Sequence, residues 1–133
     1  MLVSQLMQTE VESIAPDALV NDAALTMADD HITGLPVTDR SGRMVGVIST
    51  TDIVASEGEA ENSKARVALF ECVSVRNLMS SRPITTRPDA TISEAAQQLL
   101  RAGVHRLFVV DGERLDGVIS TTDILRAVAN GQV

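Results

Sequence analysis

The octet GVISTTDI stands at residues 46–53 and again, without one change, at 117–124. A chain of 133 residues that repeats itself in this way must fold as two like units, and internal repeats decide architecture before any local signal does. The pairing extends beyond the octet. Met7 matches Met79, Pro16-Asp17-Ala18 matches Pro88-Asp89-Ala90, and Ala23-Ala24 matches Ala95-Ala96, all at an offset of 72 residues. One residue drops out between Asp39-Arg40-Ser41-Gly42-Arg43 and the shorter Asp111-Gly112-Glu113-Arg114, and the offset becomes 71. The units are about 55 residues each, a size at which a lone hydrophobic core is marginal, so the halves are expected to share one interior. The boundaries read as a first unit over 1–56, a polar connector over 57–71 and a second unit over 72–133, the pair forming one compact module.

Each unit carries the same signals. Val20, Ala23, Ala24, Met27 and Ala28, and likewise Ile92, Ala95, Ala96, Leu99 and Leu100, follow the i, i+3, i+4, i+7 stripe of an amphipathic helix. Thr91 with Glu94 predicts a capping box, where the first unit has only Leu19. Gly103 suits a helix end, and His31, its counterpart, a solvent-facing one. Two apolar runs then flank a turn: Leu35-Pro36-Val37 and 44–48 in one unit, 107–110 and 115–119 in the other. These predict β-hairpins, with Pro36 at a strand start or edge because it cannot donate to a ladder. Helices follow from Thr50 and Thr121. Short segments around Val3–Met7 and Val75–Met79 lead into the units, and residues 56–66 read as an exposed connector followed by an apolar patch at 67–70.

Composition narrows the function. The net charge of −7 repels a phosphate backbone, so nucleic-acid binding is not expected. Cys72 is alone, which excludes a disulfide framework and is expected to be a buried inert thiol. No basic leader and no apolar run of about 18 residues is present, so neither a signal peptide nor a membrane span is expected, and a cytoplasmic setting fits. Aromatic residues are 2% of the chain, so the core must be aliphatic, with the five methionines as adaptable filler. No paired carboxylates, metal-ligand cluster or nucleophile with a base marks an enzyme or a metal site.

The octet itself admits two readings. Ser-x-x-Asp at a strand-to-helix junction is a capping arrangement, with Ser49 and Ser120 bonding free N–H groups, Asp52 and Asp123 in the favourable first turn, and the glycines merely permissive. The same helix tip offers unpaired N–H groups and partial positive charge to an anion. A serine hydroxyl can cap and still donate, and an acceptor-only carboxylate suits paired sugar hydroxyls, so a ribose phosphate matches the set. Residues 8–14 and 80–86 share no paired identity while the octet shares all eight, which favours the second reading.

Two units of lead segment, helix, hairpin and helix, each with Gly-hydrophobic-x-Ser-x-x-Asp, resemble a tandem pair of cystathionine β-synthase (CBS) domains over nearly the whole chain. Gly103-Val104-His105-Arg106-Leu107 is similar to the matching segment of the γ subunit of AMP-activated protein kinase, where a His-Arg pair faces phosphate. The resemblance implies a mixed α/β (α+β) fold of two units related by a pseudo-twofold axis, each with a small sheet packed on two helices. It implies two ligand clefts between the units, occupied by AMP, ADP, ATP, S-adenosylmethionine or a dinucleotide, and regulation without catalysis or an obligatory cofactor.

Carried over by position, the first cleft would have Asp52 on the ribose, Ser49 near phosphate and Val47, Pro83, Ile84 and Val104 around the adenine. His105 and Arg106 would reach the phosphate, Arg106 with a permanent charge and a fork suited to phosphate oxygens. The second cleft would use Asp123 and Ser120 with Val118, Val11, Glu12, Ile32 and Thr33. There Thr33-Gly34 replaces the His-Arg pair and Glu12 adds negative charge, which implies weaker phosphate binding. The resemblance further implies a homodimer formed through helices and output through an unidentified effector protein. The competing expectation is an interaction or dimerisation scaffold with vestigial clefts.

Overall fold

The computed structural model describes residues 1–59, 62, 64 and 71–133, and these divide into two compact units. The middle unit is Glu12–Pro83, and the terminal unit joins Met1–Val11 to Ile84–Val133. The residues 67–70 and much of the expected connector lie outside the described residues, although a helix runs on to Glu59, into the segment read as connector.

In the middle unit the apolar stripe forms α2 (Val20–Asp30), with Val20, Ala23 and Met27 buried. The preceding short helix α1 (Val3–Leu6) belongs to the terminal unit. Helix α2 starts at Leu19 without a side-chain cap and stops at exposed His31, whose φ of 55° takes the left-handed conformation that usually calls for glycine. The hairpin follows as β1 (Gly34–Thr38) against β2 (Met44–Ser49), antiparallel, with Val37 opposite Gly46 and Pro36 opposite Val47. Its turn is held by the Asp39 carboxylate, which accepts from the Ser41 N–H and hydroxyl and the Arg43 N–H. The Ser41 hydroxyl bond, more than any other, holds that exposed carboxyl below its ordinary pKa of 3.8.

Pro36 was expected at a strand start or edge, and it stands in the middle of β1, which is an edge strand of the two-stranded sheet. Val47 turns its N–H and carbonyl away from β1, toward Ser80. The Pro36–Val47 pair is therefore one that exchanges no hydrogen bonds, and the missing donor costs the hairpin nothing. On its other side Pro36 only accepts, from Ile14 N–H at 3.0 Å. Helix α3 (Thr50–Glu59) closes the unit.

The terminal unit repeats this plan. Helix α4 (Ile92–Ala102) is capped by Thr91, whose hydroxyl accepts from Glu94 N–H; the return bond from the Glu94 side chain is not made, so half of the expected box is present. Gly103 ends α4 at φ 65°. Strand β4 (Arg106–Asp111) pairs antiparallel with β5 (Arg114–Ser120), and a two-residue β3 (Thr85–Thr86) joins β4 in parallel. Ile14 makes the matching parallel bridge to Val37 in the middle unit. Helix α5 (Thr121–Ala129) completes the unit.

The compact units do not coincide with the sequence repeats, because the lead segments are exchanged. Residues 1–11 of the first repeat pack into the unit built from the second, and Val75–Asn77, a 3₁₀ turn, packs with the first repeat's elements. Within each unit the described residues bury a cluster of apolar side chains. Val20, Ala23, Leu35, Val37, Ile48 and Val75 lie in one, and Val3, Ile92, Ala95, Leu107, Val109 and Ile119 in the other. The repeats complete each other's cores through Val3 and Val75, both fully buried and each worth about 1.5–3 kcal/mol.

The exchange explains the octet's glycines. Backbone bonds of 2.8 and 2.9 Å join Gln8 to Val118, and bonds of 2.9 and 3.0 Å join Ser80 to Val47. The lead segment therefore crosses directly over the glycine before each valine. A Cβ on Gly46 would lie 2.6 Å from the Ser80 carbonyl oxygen and 2.7 Å from Met79 Sδ, and one on Gly117 would lie 2.6 Å from the Gln8 carbonyl oxygen. These glycines are required by close approach, not merely permitted. Gly46→Ala and Gly117→Ala are each expected to lower unfolding free energy by about 1–3 kcal/mol in urea denaturation. Gly58→Ala, with open space around a helical position, is expected to be neutral or to stabilise by about 0.5–1 kcal/mol.

Candidate functional site

Each octet runs from a strand into a helix, and the junction closes on itself. In the middle unit Ser49 N–H donates to Asp52 Oδ2 at 2.9 Å, and Asp52 N–H donates to Ser49 Oγ at 3.2 Å. In the terminal unit Ser120 N–H donates to Asp123 Oδ2 at 2.9 Å, and Asp123 N–H donates to Ser120 Oγ at 3.1 Å. Both are reciprocal capping boxes, so the capping reading of the sequence is correct as far as it goes. Two further bonds fix the tips: Thr50 N–H donates to the Thr33 carbonyl and Thr121 N–H to the His105 carbonyl, each at 2.9 Å.

Capping uses one oxygen of each aspartate and the acceptor side of each serine. The serine hydroxyl hydrogen stays available to a ligand oxygen. The second aspartate oxygens differ. Asp52 is half-buried, and its Oδ1 has no hydrogen-bond partner among the described residues. Asp123 is 7% exposed, and its Oδ1 accepts from the Gln8 side-chain amide at 3.1 Å and lies 3.8 Å from an Arg126 guanidinium nitrogen. Gln8 was not among the residues singled out from the sequence. Its signal was its place one residue after Met7, where the second repeat has Ser80.

The residues expected in the first cleft divide between the units. Val47, Ser49, Asp52 and Pro83 belong to the middle unit, and Ile84, Val104, His105 and Arg106 to the terminal unit. Those of the second divide likewise: Glu12, Ile32 and Thr33 in the middle unit, and Val11, Val118, Ser120 and Asp123 in the terminal one. Within the terminal unit Arg106 is the strand partner of Ser120, so the His105-Arg106 backbone is fixed at the same strand end as the second octet. Both side chains are exposed and have no hydrogen-bond or ion-pair partner among the described residues. Ile84 is 49% exposed, and Glu12 and Thr33 are exposed. Cys72 is exposed, against the expected burial; it stands just after the connector, ahead of the first buried lead-segment residue, Val75.

Two apolar grooves lie on helix pairs. One, about 250 Å³, runs between α4 and α5 beside Leu99, Leu100, Ile124, Leu125 and Val128. The other, about 180 Å³, runs between α2 and α3 beside Ala24, Met27, Ile53 and Val54. Leu100 is 81% exposed and Leu125 69%. No group of three or more potential metal ligands occurs among the described residues, and no helix there is long and apolar enough to cross a membrane.

The profile of the CBS domain family matches residues 3–58 and 75–130. The chain is 35% identical over 127 residues to homoserine O-acetyltransferase of Methanococcoides burtonii, covering 95% of this chain and 24% of that protein. It is 30% identical over 101 residues to 5'-AMP-activated protein kinase subunit gamma-3 of Bos taurus, covering 75% of this chain and 20% of that protein. The chain thus spans less than two thirds of the length of these curated relatives. The crystal structure of CBSX2 in complex with AMP matches at a TM-score of 0.83 and 27% identity, over 99% of this chain and 98% of that one.

The caps predict their own measurement. Ser49→Ala and Ser120→Ala should each lower unfolding free energy by about 1 kcal/mol without any ligand, read by urea denaturation, while Ser→Thr at either position should retain most of it. No loss in either alanine variant would contradict the capping geometry.

Proposed function

The chain belongs to the CBS domain family as a tandem pair of CBS domains, and on that premise we propose that it is a regulatory module that binds an adenosine-containing ligand and performs no catalysis of its own. The observation that carries this reading is the economy of the caps. Each cap uses one aspartate oxygen, Oδ2, and the acceptor side of one serine, so among the described residues the Asp52 Oδ1 and the two serine hydroxyl hydrogens are left for a sugar phosphate. Capping by itself needs nothing more, yet the octet is kept whole.

On the middle unit, Asp52 takes the ribose hydroxyls and Ser49 faces phosphate, with Val47 and Pro83 as apolar contacts for the base. On the terminal unit, Asp123 and Ser120 take the same roles beside Val118, while Ile84 and Val104 stay with the first ligand position as base contacts. Val11, Glu12, Ile32 and Thr33 stay with the second ligand position. Arg106 and His105 supply phosphate contacts, supported by their exposure and lack of partners among the described residues. AMP is the first ligand to test, because the similar CBSX2 was solved with it; ADP and ATP share the recognised atoms.

The same reading includes a homodimer, supported by exposed Leu25, Leu100, Leu125 and Val128 on the helices and by the grooves beside them. It also includes a cytoplasmic setting, in keeping with a lone exposed thiol, and an effector protein that receives the signal. The scaffold reading is favoured by one observation, that the caps account for Ser and Asp without a ligand.

Titration calorimetry separates the two. Micromolar AMP binding is expected, lost on Asp52→Ala together with Asp123→Ala. Arg106→Ala should weaken AMP by about tenfold to a hundredfold and leave adenosine unchanged, as expected for a charge-assisted contact to phosphate. Millimolar or no affinity for AMP, ADP and ATP in ligand-free protein would instead support the scaffold. Leu125→Glu is expected to shift sedimentation from dimer to monomer; a monomeric parent chain would contradict the dimer.

A further inference from the structure

We infer that Gln8 is a specificity-determining residue at the second helix tip: its side-chain amide occupies the Asp123 oxygen that a ribose would use, and so makes the two tips unequal in affinity. This rests on the ribose role proposed for Asp52 and Asp123.

The two tips offer an internal comparison. Gln8 and Ser80 hold equivalent places, each bridged through its backbone to the valine after an octet glycine, Val118 and Val47 respectively. Because backbone atoms make both bridges, the side chains are free to differ. The Gln8 amide reaches Asp123 Oδ1 at 3.1 Å. The short Ser80 hydroxyl instead accepts, at 3.4 Å, from the Arg82 N–H in its own segment. A second difference acts in the same direction. Arg126, one turn into α5, lies 3.8 Å from Asp123 Oδ1, and its counterpart after Asp52 is Ala55.

A carboxylate only accepts, so every donor must share its lone pairs. With one acceptor site of Oδ2 used by the cap and one of Oδ1 by the Gln8 amide, ribose hydroxyls approaching Asp123 find fewer open acceptor sites than at Asp52. There Oδ1 has no partner among the described residues. Gln8 is itself exposed, so its amide can turn out to water, and the contact grades affinity without closing the site. The tip at Asp52 therefore binds first, and the tip at Asp123 responds only at higher ligand concentration.

The test uses AMP titration of the full chain in backgrounds that leave one tip. In Asp52→Ala, adding Gln8→Ala should tighten the remaining site about tenfold, the scale of one hydrogen bond to a charged group. In Asp123→Ala, adding Ser80→Gln should weaken the remaining site by a similar factor, and thermal melts of each variant establish that it is folded. Equal or weaker AMP affinity in Asp52→Ala/Gln8→Ala than in Asp52→Ala, or none in both, overturns the role of Gln8. AMP binding that survives Asp52→Ala/Asp123→Ala overturns the ribose reading itself, and this inference with it.

Discussion

In each unit, a stretch of backbone passing within van der Waals reach of a glycine ties a lead segment to the hairpin. The Gln8 and Ser80 carbonyl oxygens lie where a side chain on Gly117 or Gly46 would have to begin. That approach seats Val3 and Val75 in cores assembled from the other repeat's helix and hairpin. Each core is small, about eight buried side chains among the described residues, and a lone unit of this size would be marginal. The exchange makes each repeat's stability depend on a segment that the other supplies.

The same approach positions the helix tips. Once the valine after each glycine is bridged to a lead segment, the strand end is fixed, and Ser and Asp close the following turn. Most of the octet now has a physical reason. Gly46 and Gly117 make room, Ile48 and Ile119 are fully buried, and Ser and Asp cap. The N–H groups of Thr50 and Thr121 bond the carbonyls of Thr33 and His105. Nothing within either unit explains Thr51 and Thr122, which are exposed. The ligand role proposed above thus falls on the same residues as the structural demand, the cap using one oxygen of each aspartate.

Much of the architecture was legible because it rests on local rules. The 3.6-residue stripe at 92–100 and the apolar pairs around each turn report which face is buried, and α4, β4 and β5 follow from them. The exchange was not legible, since a lead segment of five or six residues carries no mark of which repeat will receive it. The way β1 accommodates Pro36 in mid-strand was not legible for a related reason. Whether a missing N–H matters depends on which residue pairs exchange bonds, and that is a matter of register. At the site, Ser-x-x-Asp announced the cap by spacing alone, whereas the Gln8 contact to Asp123 spans 115 positions and arises only through the fold.

The claim on which the functional account turns is that the helix tips are ligand seats as well as caps. Backbone amide chemical shifts recorded during AMP titration test it directly. The expected result is saturable shifts at Ser49 through Asp52, with shifts at Ser120 through Asp123 appearing at higher AMP. Saturable shifts confined to other residues, with both tips unmoved, would contradict it.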